Sequence, residues 1–191
     1  MKPYLYLFIS FLAIFLSACS NKPTQATEAW LTKETKINLP SPHLEKPYHD
    51  KQLLTFNYND QQKSLITLID ADTNAITVTG LSTLGIRLFN IEYSGNTIIT
   101  EQNTVIKEIP SAEQILSDIM LSILPIESWR VNLPKSWQLV DNNLNRQLIN
   151  DKGEIIIDIR YQQQPSSQKI RRPTNIKHNG FNYQIAIEGI E

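Results

Sequence analysis

The sequence has a single cysteine, Cys19, and only six glycines among its 191 residues. One thiol excludes an internal disulfide, so the fold must rest on its core, and it excludes the cysteine-rich zinc patterns as well. Neither a Gly-rich phosphate loop nor a G-x-S-x-G nucleophile elbow occurs. An excess of charge of one sign is also missing: 18 basic residues face 19 acidic ones, for a net charge of −1. That balance excludes the basic surface that nucleic acid demands. The one long apolar run, Tyr4 to Leu16 broken by Ser10, falls short of the roughly 20 residues a permanent membrane span requires.

What is present begins with that run. Lys2, a short apolar core and the small residues Ser17 and Ala18 read as a secretory signal. The sequence Leu16-Ser17-Ala18-Cys19 resembles the lipobox of bacterial lipoproteins. The resemblance implies cleavage between Ala18 and Cys19 and attachment of acyl chains to the Cys19 sulfur and the new amino group. Each buried methylene contributes about 0.8 kcal/mol and one chain holds only reversibly, so several chains make the anchor permanent. The partner at this end is membrane lipid, and Ser20, where Asp would favour the inner membrane, implies an outer-membrane, periplasm-facing location.

The expected division is a signal peptide over 1–18, an anchor and tether over 19–50 and one domain over 51–191. The tether stretch is polar and carries Pro23, Pro40, Pro42 and Pro47, with Trp30 and Leu31 marking a short docked turn. From Gln52 onward, short β-branched and aromatic runs alternate with turn residues. They predict strands over 52–58, 64–70, 75–79, 86–93, 97–100, 103–107, 136–140, 145–149, 154–161, 168–171 and 181–188. About eleven strands are more than a flat sheet holds without curling. Ser94-Gly95-Asn96, Lys152-Gly153 and Asn179-Gly180 supply residues that tolerate positive φ at hairpin turns. Alternation groups Phe181, Tyr183, Ile185 and Ile187 on one face, and Ile155, Ile157, Ile159 and Tyr161 on another.

One helix is predicted, over 112–124. Ser111 caps it, Gln114 stands at the reciprocal capping-box position and Pro125 ends it. Ile115, Leu116, Ile119, Met120, Ile123 and Leu124 form an apolar stripe, leaving Glu113, Ser117, Asp118 and Ser122 as the polar side. The fold class is therefore mainly β: an antiparallel sheet with enough strands to curl, and one apolar helix whose stripe lies on it.

Chemistry is harder to find. His43, His49 and His178 lack metal-ligand spacing and read as solvated loop residues. Asp70-x-Asp72-x-Asn74 mimics half a calcium loop, but Ala75 and Leu81 stand where Gly and Glu belong, so the carboxylates read as turn caps. Glu92 and Glu101 read as exposed strand residues, and Arg171-Arg172 as a solvated loop. The expectation is a protein without catalysis, metal or cofactor.

Ser82-Thr83-Leu84-Gly85 before a strand, the helix closing in Pro125, Leu133-Pro134 followed by Trp137, the strand ending in Tyr161 and a final amphipathic hairpin together resemble the LolB-like outer-membrane receptors of the lipoprotein-localisation pathway and the related family DUF3261. The resemblance implies a LolA/LolB-like half-barrel, a strongly curved antiparallel sheet forming an incomplete barrel closed by the apolar helix, with an apolar cavity for acyl chains lined by Ile115, Ile119, Met120 and Ile123. It also implies that Leu84 protrudes to pass cargo to a membrane, although Thr83 stands where those receptors carry proline and Ile86-Arg87 where they carry small polar residues. A Leu84 packed inside is the alternative. The expected function is binding and transfer of acylated cargo by a monomer; the rival is a non-catalytic adaptor lipoprotein of an envelope assembly.

Overall fold

The computed structural model describes residues 27–102, 110–163 and 170–190. The signal, Cys19, Ser20 and the strand predicted over 103–107 lie outside them. Two short strands, β1 (Glu28–Trp30) and β2 (Lys36–Asn38), pair as a separate ribbon. Then follow β3 (Tyr48–Tyr58), β4 (Gln61–Ala71), β5 (Ile76–Leu81), β6 (Arg87–Tyr93) and β7 (Ile98–Gln102). Helix α1 (Ala112–Ile123) and a 3-10 turn (Ile126–Trp129) precede β8 (Gln138–Asp141), β9 (Asn145–Ile149), β10 (Ile155–Tyr161), β11 (Pro173–His178) and β12 (Tyr183–Gly189).

Ten strands form one antiparallel sheet in the order β7-β6-β5-β4-β3-β12-β11-β10-β9-β8, and it does not close into a barrel. Its curvature follows from what touches α1. Thr100 on β7 donates to Glu113 at 3.0 Å, Tyr161 on β10 donates to the Ser122 carbonyl at 2.9 Å, and Arg146 on β9 donates to the Leu121 and Leu124 carbonyls at 2.6 and 2.7 Å. Strands about 4.8 Å apart would place β7 and β9 about 38 Å from each other in a flat sheet. No helix about 10–12 Å wide reaches both, so the sheet curls around α1.

That curl corrects the predicted polar side of the helix. Ser117, Asp118 and Ser122 are buried along with the apolar stripe, because the sheet surrounds the helix instead of meeting one face. Ser111 caps it as expected, accepting from the Gln114 backbone N–H at 3.2 Å. The Gln114 side chain turns away from the reciprocal bond, toward Asp118 and His178. Leu124 leaves the helix in extended conformation ahead of Pro125. Burial of Ile115, Leu116, Ile119, Met120, Leu121 and Leu124 contributes about 1.5–3 kcal/mol per side chain.

Other differences are local. The stretch read as tether contains β1 and β2 and buries Leu31, Leu39 and Leu44, and Tyr93 secures it by donating to the Leu39 and Pro40 carbonyls at 3.0 Å. A bulge between Ile155 and Ile157 turns Ile156 inward and leaves Ile155 exposed. Near the C-terminus the strand begins at Pro173, while Ile170 and Arg171 are not in a strand. Gly95 and Gly153 do take positive φ, but in the last hairpin Asn182 takes it in place of Gly180. Gly180 is instead a close approach, since a Cβ there would sit 2.5 Å from the Leu31 carbonyl oxygen.

Candidate functional site

Antiparallel pairing sends alternate hairpin tips to the same end of the sheet. The turns at 59–60, 82–86, 150–154 and 179–182 therefore share one rim with Ser111, the start of α1. At this rim lies a pocket of about 780 Å³. Trp30, Phe56, Tyr58, Phe181 and Tyr183 supply its aromatic walls, and Gln114 reaches it from the first turn of α1. Lys33 stands at its mouth. Its size is that of a small-molecule site, and Asn59, Ser111, Asn179 and Asn182 add polar groups between the aromatic walls.

Behind this wall four polar side chains meet between α1 and the β11–β12 hairpin. Tyr183 Oη donates to Asp118 Oδ2, and Gln114 Nε2 stands 3.3 Å from Asp118 Oδ1 and 3.5 Å from His178 Nε2. Asp118 and His178 are 1 % and 0 % exposed. Burial pushes the Asp118 carboxyl up to about 7, against the lowering effect of the bonds from Tyr183 and Gln114. Burial likewise pushes His178 down to about 4 and Tyr183 well above its ordinary range. The His178 ring lies between Phe181 and Tyr183, with centroids 4.9 Å from each. This corrects the reading of His178 as a solvated loop histidine; strand alternation with Ile176 was the available signal, since both point inward from β11.

The other rim feature is the β5–β6 tip. Ser82 closes it tightly: its Oγ accepts from the backbone N–H of Leu84 and Ile86 at 3.3 and 3.1 Å, and Gly85 takes φ +81°. The closure pushes Leu84 outward to 86 % exposure, with Ile86 at 63 %. Leu84 is thus not packed inside.

The expected cavity residues occupy a different place. Ile115, Ile119, Met120 and Ile123 are buried in the core; none of them lines the rim pocket, and Ile123 borders another, of about 490 Å³, at the opposite end of the helix. There Asp141 holds Arg146 at 2.8 Å and Arg171 at 2.6 Å, and Arg171 lies 3.8 Å from the Tyr161 ring centre. Arg171 is therefore tied into the fold and not free in a loop. His43 is exposed, and His49 is exposed and paired with Asp70 at 3.1 Å. Asp72 caps the β4–β5 turn by accepting from Asn74 and Ala75 N–H. Among the described residues no three His, Cys, Asp or Glu converge as a metal site, and no helix is long and apolar enough to cross a membrane.

The model of one family covers residues 49–191, which is the main sheet from the second residue of β3 onward together with α1. The chain belongs to the DUF3261 family. That family is described as a protein of unknown function. No curated protein matches the chain.

Proposed function

We propose that this DUF3261 protein is a lipid-anchored envelope protein that takes the acyl chain of a lipidated or lipid-like molecule into its rim pocket and helps transfer it. The lipobox at Cys19 and the following Ser20 support an outer-membrane, periplasm-facing anchor, and the open sheet curled around α1 supports kinship with the LolB-like receptors. The observation that carries the reading is the aromatic rim pocket, with Trp30, Phe56, Phe181 and Tyr183 in its wall. Apolar area removed from water there contributes about 25 cal/mol per Å², so no covalent chemistry is needed. Leu84 and Ile86 on the same rim form a firm apolar prow that suits contact with a bilayer while cargo leaves.

The site sits at the end of the helix and not beneath it, because the α1 stripe fills the concave face. That filled core favours the second reading, an adaptor whose outer surface supports an envelope assembly. Binding separates them. The full chain carrying Cys19→Ser should enhance the fluorescence of 1-N-phenylnaphthylamine, and Phe181→Asp should abolish the enhancement. Absence of binding to this probe and to fatty acids leaves the adaptor.

A further inference from the structure

A buried polar cluster is costly unless its groups are paired, and this one, beside the rim pocket, is a hydrogen bond short. Gln114 Nε2 faces both Asp118 Oδ1 and His178 Nε2, so the assigned amide orientation makes His178 Nε2 an acceptor. The neutral imidazole then carries its proton on Nδ1. Nδ1 is buried and, apart from the backbone of His178 itself, has no partner among the described residues. The neighbouring ring carbon, Cε1, lies 3.1 Å from the place a Cβ on Gly180 would take. Gly180, Phe181 and Tyr183 all line the rim pocket, so this ring edge stands directly behind the pocket wall, under the half-buried Phe181.

We propose that the inner wall of the rim pocket is a hydrogen-bond site for an uncharged polar head, the amide or ester carbonyl of an acylated molecule, which accepts from His178 Nδ1–H when the Phe181 ring swings aside. Gln114 is the positioning residue that fixes the His178 tautomer. An anionic head fits poorly, because Asp118 lies in the same cluster and its carboxylate would face the incoming charge. The inference rests on the pocket being an acyl site and adds to it the chemistry of the head.

The test uses the full chain carrying Cys19→Ser at pH 8 and four ligands with similar C18 tails: oleamide, methyl oleate, oleate and 1-octadecene, each displacing 1-N-phenylnaphthylamine. Oleamide and methyl oleate should bind about tenfold tighter than octadecene, the effect of one well-made buried hydrogen bond, and oleate weaker than oleamide. His178→Phe, which keeps the ring volume, and Gln114→Met should each bring oleamide and octadecene to equal affinity, whatever either change does to the binding of the tail itself. If His178→Phe does not fold, Gln114→Met decides alone. Equal affinity for oleamide and octadecene, or a preference that survives in every variant that folds, overturns the head-group site but leaves the acyl pocket standing. If none of the four ligands binds, the acyl pocket and the head-group site fall together.

Discussion

Asp118→Asn replaces a buried carboxyl by an uncharged group of the same shape, and its effect on stability should reverse the usual expectation for a buried hydrogen-bonded residue. The Asp118 carboxyl is raised from 3.8 to about 7, a difference of about three pH units, or roughly 4 kcal/mol at 1.36 kcal/mol per unit. A raised carboxyl stabilises the fold fully below pH 3.8, and the contribution is lost as pH rises through about 7. His178 is lowered from 6.5 to about 4. It stabilises the fold above pH 6.5, and its contribution of roughly 3 kcal/mol is lost as pH falls through about 4. Between pH 4 and 6.5 the two slopes oppose each other, so these groups leave the native chain nearly flat there. Asp118→Asn removes one slope. The variant should be more stable than the native chain at pH 8, by up to about 10 °C in Tm for a domain of this size, and should lose stability steadily from pH 6.5 to 4. Thermal unfolding followed by circular dichroism from pH 4 to 8 measures both. Parallel curves, with the variant displaced by a constant amount at every pH, would refute the reasoning.

Arg146→Met should cost about 3–5 kcal/mol in urea unfolding, because it strands the Leu121 and Leu124 carbonyls and takes a partner from Asp141. Gly80→Ala should destabilise by about 1–3 kcal/mol, since its Cβ would fall within the Phe89 ring, and adding Phe89→Leu should recover part of the loss. Leu84→Glu should leave stability within about 0.5 kcal/mol, as the side chain touches little, while reducing flotation of the chain carrying Cys19→Ser with phosphatidylglycerol vesicles. Intact-mass spectrometry of the membrane-extracted protein should find Cys19 as the acylated first residue; an unmodified terminus would remove the anchor.

The main sheet is largely legible because period-2 alternation, as in β10 and β12, and turn residues are local signals. The helix was legible for the same reason, through its stripe and its Ser111 and Pro125 borders. The site was not. Helical periodicity puts Asp118 on a polar side, and only the curl of strands distant in sequence buries that side against Tyr183 and His178. Trp30 and Phe56, far apart in the chain, meet at the rim only through the tertiary fold. The β1–β2 ribbon escaped notice because two three-residue strands among prolines carry almost no pattern. Gly180 reads as a turn residue, but its reason for being glycine is the Leu31 carbonyl, a contact spanning most of the chain.

Photo-crosslinking with a fatty amide bearing a diazirine midway along its tail tests the central claim most directly. The account predicts adducts on Trp30, Phe56, Phe181 or Tyr183 at the rim, competed away by oleamide. Adducts at Ile123 or Ile170 in the opposite pocket, or none that oleamide competes for, would contradict it.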